Sequence, residues 1–179
     1  RRILREARRM IGAAGPDGLS MRELGRRAGV STRTLYNAFG SRESVIALAI
    51  HGYFETFISR VAFDEDAGSF DGALIRQTTS TLRDVDIPPY MQAVVALYFS
   101  PTLPGVIRDV LVDMATRPWV AWLERIEGKR QLEPGVVPAS LLADLSNLQY
   151  ARIHDWCLGA LDDESFVRMT LLGVLTQLM

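Results

Sequence analysis

SMRELGRRAGVSTRTLYNAF, residues 20–39, reads as two short helices joined by a tight turn. Ser20 is a good N-cap, and Glu23 three residues on is placed to complete a capping box with it. The first helix runs from Met21 to Ala28; Gly29 ends it in the left-handed conformation and Val30 follows. Ser31 caps a second helix, Thr32 to Phe39, which Gly40 closes. Leu24, Ala28, Val30, Leu35 and Phe39 form the apolar inside, which leaves Arg22, Arg26, Arg27, Arg33, Tyr36 and Asn37 facing out. Such a pair, with Arg, Thr, Tyr and Asn outward, is a helix-turn-helix suited to duplex DNA. Other helical hairpins share a glycine turn and a cap. The second helix here is polar enough to suit a groove better than a core.

Charge supports the same reading. The 179 residues carry a net charge of −1, which by itself argues against a nucleic-acid binder. Residues 1–40, however, hold nine arginines against Glu6, Asp17 and Glu23, for +6, while residues 41–179 hold eleven basic against eighteen acidic residues, for −7. A basic head on an acidic body is the footprint of a protein that docks a phosphate backbone by one end. At 48% hydrophobic and 23% charged the composition is that of a soluble globular chain. Cys157 is the only cysteine, so no internal disulfide forms, and a reducing, cytoplasmic setting is the simplest expectation. The longest apolar run, Ala93 to Phe99, is far shorter than the roughly 20 residues that cross a bilayer. The chain starts at Arg1 without Met and stops in mid-pattern at Met179, so it reads as trimmed at both ends.

The remaining pattern is helical throughout, and the expected fold is all-α. A first helix, Arg1 to Ala14, puts Ile3, Leu4, Ala7, Met10 and Ile11 on one face, and Gly15-Pro16-Asp17-Gly18 is a turn. Ser41 caps a long helix, Arg42 to Phe63, a rod of roughly 33 Å that Asp64–Gly68 ends. Five more helices follow at about 70–84, 89–100, 104–128, 138–160 and 163–179, and Pro118 is expected to kink or split the third of these. Gly135-Val136-Val137 reads as loop. The division expected is a three-helix DNA-binding head, 1–45, and a helical ligand-binding and dimerisation body, 46–179.

The last helix is apolar nearly all round, which suggests cover on two sides. Val167, Leu171, Leu175 and Leu178 are assigned to the core, leaving Phe166, Thr170, Gly173, Val174 and Gln177 to face a partner. Leu141, Leu145, Leu148, Gln149, Arg152 and Trp156 of the preceding helix join that interface. A two-fold homodimer would carry two recognition helices about 34 Å apart, matching successive major grooves.

Little points to catalysis. His154 and Cys157 share a helix face but lack the further ligands a metal site needs, and no nucleophile elbow, P-loop or dinucleotide motif occurs. Asp162-Asp163-Glu164 reads as helix capping. The chain is expected to be no enzyme, with neither metal nor cofactor. Phe54, Phe57, Tyr98, Trp122 and Tyr150, with Gln77, Thr81 and Asn147 as orienting polar groups, are candidates to line a pocket for a small, largely apolar effector. Sequence does not separate such a pocket from a filled core.

Residues 18–44 resemble the tetracycline-repressor-type (TetR) family of transcription regulators. The resemblance rests on Ser20, Glu23-Leu24, Ala28-Gly29-Val30-Ser31, Thr34-Leu35-Tyr36, Phe39 and Ser41-Arg42-Glu43. It implies nine helices, a homodimer through the last two, a ligand pocket in the body, and relief of repression when ligand moves the long helix. It also implies that Ser20, Ser31, Thr34, Tyr36 and Arg42 touch phosphates, while Thr32, Arg33 and Asn37 read bases. Arg22 joins them on the outward face. On that basis Arg42→Ala is expected to weaken binding to all sequences alike. Ala38 departs from the family, which commonly has His there as a phosphate contact. The rival expectation is a helical small-molecule-binding or interaction protein that does not bind DNA, supported by Ala38 and the acidic total charge.

Overall fold

The computed structural model describes residues 1–61, 70–84, 88–128 and 134–177. Among these it has nine helices and no strand: α1 (Arg2–Ala14), α2 (Met21–Ala28), α3 (Thr32–Phe39), α4 (Arg42–Val61), α5 (Phe70–Asp84), α6 (Pro88–Tyr98), α7 (Gly105–Gly128), α8 (Pro138–Cys157) and α9 (Asp163–Gln177). The expected break at Asp64–Gly68 lies outside the described residues.

Short-range hydrogen bonds set several helix ends. The Ser41 hydroxyl accepts from Ser44 N–H at 3.0 Å and opens α4. Asp162 accepts from Ser165 N–H at 2.7 Å and opens α9, the capping expected of that acidic run. Hydrogen bonds from the Ser165 backbone and side chain hold its carboxyl below the usual range. Helix α8 stops three residues earlier than expected. Gly159, at φ 74°, lets Gly159 N–H and Ala160 N–H fold back onto the carbonyls of Trp156 and Asp155, each at 2.9 Å. Pro118 neither splits α7 nor ends it. Met114, Ala115, Trp119, Trp122 and Leu123 are buried on either side of the proline, and that packing offsets one missing backbone donor.

The chain forms two compact units. The first is Arg1–Glu55 with Ile87–Val112, so it takes in α6 along with the head expected at 1–45; the second is Thr56–Asp86 with Asp113–Met179. In the first, Ala7, Met10 and Ile11 of α1 are buried with Leu24, Leu35, Ile46 and Ile50. Helix α6 lies so close to α1 that a methyl group on Gly12 would sit 3.4 Å from Tyr90. The core of the second unit is Leu74, Trp119, Trp122, Leu123, Leu141, Leu145 and Val174.

Helix α9 departs from the expected face at four positions. Phe166, Thr170 and Val174, assigned to a partner, are buried at 1%, 1% and 0% exposure, while Leu175, assigned to the core, is 41% exposed. Val167 and Leu171 are half-buried, Leu171 against the core as expected; Gln177 is exposed, and Leu178 lies outside the described residues. Two local facts explain the difference. A methyl group on Gly173 would lie 2.8 Å from Leu148 Cδ2, so the glycine permits close approach to α8 of the same chain instead of to a partner. The Thr170 hydroxyl donates to Phe166 O at 2.7 Å, which lets a polar residue be buried satisfied. On α8, Leu141, Leu145 and Gln149 are likewise buried within their own unit, whereas Leu148, Arg152 and Trp156 are half-buried. Trp156 stacks on Phe166 at 5.3 Å and its indole donates to Asp163 at 2.9 Å, closing the α8–α9 corner.

Candidate nucleic-acid interface

The helix pair α2–α3 is built from its caps inward. Ser20 Oγ accepts from Glu23 N–H at 3.4 Å, and Ser31 Oγ accepts from Thr34 N–H at 3.0 Å. Between them Gly29 adopts φ 69°, ψ 34°; its N–H reaches Arg26 O at 3.4 Å, and Val30 N–H reaches Gly25 O at 2.9 Å. That pair of bonds reverses the chain within two residues. Gly25 is as necessary as Gly29: a methyl group there would lie 2.7 Å from Val30 O. Leu35, fully buried, pins α3 onto the head, and Gly40 N–H bonds Tyr36 O at 2.8 Å to close it.

Glu23 does not complete the expected capping box. Its carboxylate takes Arg26 through Nε at 2.8 Å and a terminal nitrogen at 2.7 Å, and Arg27 through Nε at 2.7 Å. Hydrogen bonds from the two guanidinium groups hold its carboxyl down at about 2. Two of the outward arginines are thereby tied to one acid.

The remaining outward groups lie on the surface of the head. Ser20, Arg22, Ser31, Arg33, Thr34, Tyr36 and Asn37 are exposed and Thr32 is half-buried. Arg22 and Arg33 make no hydrogen bond or ion pair among the described residues, so both are available to phosphate or base edges. The Ser31 and Thr34 hydroxyls share a hydrogen bond at 2.8 Å at the start of α3. Ala38 is exposed on the same helix.

Arg42, expected at a phosphate, is bonded to its own chain. Its Nε donates to Leu19 O at 2.8 Å, one terminal nitrogen donates to Pro16 O, and the other reaches Glu43 Oε1 at 3.4 Å. The guanidinium is thus engaged at all three nitrogens within its own chain, with 30% of the side chain exposed. Arg2 was missed by sequence reasoning. It donates to Arg27 O at 3.3 Å and lies over the C-terminal turn of α2, where a cation suits the helix dipole.

The described effector candidates fall in both units. Phe54 is buried and Tyr98 half-buried in the first unit; Thr81, Trp122 and Tyr150 are buried in the second. Asn147 is exposed on α8, whose buried positions are Leu141, Leu145, Ser146, Gln149, Tyr150 and Ile153. The side chains of Phe57 and Gln77 lie outside the described residues. Among the described residues no three His, Cys, Asp or Glu side chains are grouped to hold a metal. Burial pushes the Cys157 thiol up to about 11, which makes it a poor nucleophile.

Residues 3–49 match the family model described as "Bacterial regulatory proteins, tetR family". The whole chain is similar in fold to a TetR-family transcriptional regulator from Streptomyces coelicolor, at TM-score 0.73 and 16% identity over 98% of this chain and 77% of that one. A transcriptional regulator from Rhodococcus sp. Rha1 aligns over 99% and 94%, at TM-score 0.67 and 17% identity. The Flavonoid-responsive Regulator FrrA aligns over 99% and 93%, at TM-score 0.65 and 20% identity. No curated protein matches the sequence. At these identities the solved structures speak for the fold, and the match to residues 3–49 speaks for the head. No described helix is long and apolar enough to cross a membrane.

Proposed function

The chain carries the DNA-binding head of the tetR family of bacterial regulatory proteins, which are regulators and not enzymes, and from that premise we propose a ligand-responsive repressor. It binds palindromic operator DNA as a homodimer and releases it when a small, largely apolar effector is bound. The observation that carries the DNA-binding part is the exposed row Arg22, Arg33, Tyr36 and Asn37, with both arginines unpaired among the described residues, in a head of net charge +6. Arg33 has the donors to go bidentate to guanine and Asn37 to adenine.

Support for the homodimer comes from the outer face of α9, where Met169, Leu172 and Leu175 are 37%, 58% and 41% exposed. Large apolar residues on neighbouring turns are what a two-fold helical interface covers. Support for an effector comes from the second unit, where Trp122 and Tyr150 are buried along with Thr81 and Gln149. The flavonoid-responsive neighbour makes planar aromatic molecules the first set to screen.

Selection from random duplexes, followed by titration of the winner across salt, tests the reading. Neutralising several phosphates makes affinity fall steeply, with a slope of about −0.9 per phosphate on logarithmic axes. A flat salt response, or no selected sequence, would leave the non-DNA-binding helical protein as the better reading.

A further inference from the structure

We propose that Arg42 is a positioning residue for the DNA-reading helices, acting through the main chain that leads into α2 and not by contact with DNA. The inference rests on the DNA-binding reading above. Arg42 is the first residue of α4, where a cation is disfavoured by the helix dipole and an acid is preferred. Its place there needs another reason, and its bonds supply one. The guanidinium, 30% exposed, donates to the carbonyls of Leu19 and Pro16, across 23 and 26 residues of sequence, with Asp17 at 3.8 Å and Glu43 at 3.4 Å.

Pro16 and Leu19 are the two ends of one turn. Leu19 N–H bonds Pro16 O at 3.1 Å, so Arg42 draws on the carbonyl that already closes that turn and on the carbonyl at its far end. The turn has no slack: a methyl group on Gly18 would sit 2.5 Å from Ala14 Cβ. Leu19 is buried, and the next residue, Ser20, is the N-cap of α2. Arg42 therefore clamps the residue before the cap to the first turn of α4. That fixes where Ser20 and Arg22 point and, through the Gly25–Val30 turn, where α3 begins. Two separate carbonyls are met by donors held apart on a rigid plane, which guanidinium has and an ammonium lacks.

The test compares wild type, Arg42→Lys and Arg42→Gln as full chains on two probes, a duplex selected by wild type and an unselected duplex of scrambled sequence. Lysine keeps the charge and so preserves a phosphate contact, but it loses the two-carbonyl fork. The inference expects both variants to lose on the order of tenfold in affinity for the selected duplex, the scale of one charge-assisted hydrogen bond. It further expects little change on the scrambled duplex, an unchanged salt slope, and faster hydrogen exchange at Ser20 and Met21 with helical circular dichroism intact. Arg42→Lys matching wild type, with Arg42→Gln losing about 0.9 from the salt slope, would make Arg42 a phosphate contact and overturn the inference. Loss of helical signal in both variants would overturn it too, by making Arg42 a residue of the fold alone. If wild type binds neither duplex, it is the DNA-binding reading that fails.

Discussion

Replacing Gly25 with alanine tests the reasoning about the helix-turn-helix most directly, because the local rule and the tertiary contact predict opposite signs. Glycine inside a helix is normally unfavourable by about 0.5–1 kcal/mol relative to alanine, so the exchange should stabilise. At Gly25 the new methyl group would lie 2.7 Å from Val30 O, some 0.7 Å inside ordinary contact, and the obstacle is backbone. Either the last turn of α2 unwinds or the Val30 N–H bond to Gly25 O, 2.9 Å long, is stretched. Overpacking of this kind costs about 1–3 kcal/mol, which exceeds the propensity gain and leaves a net loss of roughly 1–2 kcal/mol. Gly52, on the exposed side of α4, is the control, since a methyl group there meets nothing within 4 Å. Urea titration of the full chain by far-ultraviolet circular dichroism reads both. With a slope of about 2 kcal/mol per molar, Gly25→Ala lowers the midpoint of the first unit by about 0.5–1 M and Gly52→Ala raises it by about 0.3–0.5 M. A Gly25→Ala midpoint at or above wild type would refute the claim that the turn is closed tightly against Gly25.

Arg33→Ala is expected to narrow the affinity gap between selected and scrambled duplexes by about 1–3 kcal/mol, whereas loss of Arg22, if it meets phosphate, lowers both alike; competition titrations tell the two apart. Glu23→Gln frees Arg26 and Arg27, so duplex affinity rises and its salt dependence steepens. Because the Glu23 carboxyl is lowered from 4.5 to about 2, its contribution to stability is full above 4.5 and fades as pH falls toward 2. The stability difference between wild type and Glu23→Gln should therefore be constant at neutral pH and shrink only in strong acid, as acid titrations of both will reveal. Leu145→Ala, at a fully buried core position, should destabilise the second unit by about 2–5 kcal/mol in the same urea assay. Leu172→Arg, at 58% exposure, should leave the helical signal intact but shift sedimentation from dimer to monomer.

The helix boundaries were largely written in the sequence, because the groups that set them lie three to five residues apart. Ser20, Ser31, Ser41 and Asp162 each accept from the N–H three residues on, and Gly29 turns the chain where the sequence placed it. The same locality made the outward row of Arg22, Arg33, Tyr36 and Asn37 legible, since a helix of known limits fixes which side chains share a face. What required the folded chain were the choices between equally apolar or equally basic alternatives. Hydropathy alone could not tell which face of α9 turns inward, because that depends on Gly173 fitting against Leu148 and on Thr170 satisfying its hydroxyl on Phe166 O. Periodicity did not reveal that Asn147 stays outside, or that α6 joins α1 in the first unit. Glu23 had the spacing for a capping box, yet two nearby guanidinium groups bind its carboxylate more strongly than one backbone amide does. Arg42 looked like one more cation near the DNA-facing helices; its acceptors, 23 and 26 residues back along the chain, exist as a pair only once the turn before α2 has folded against α4.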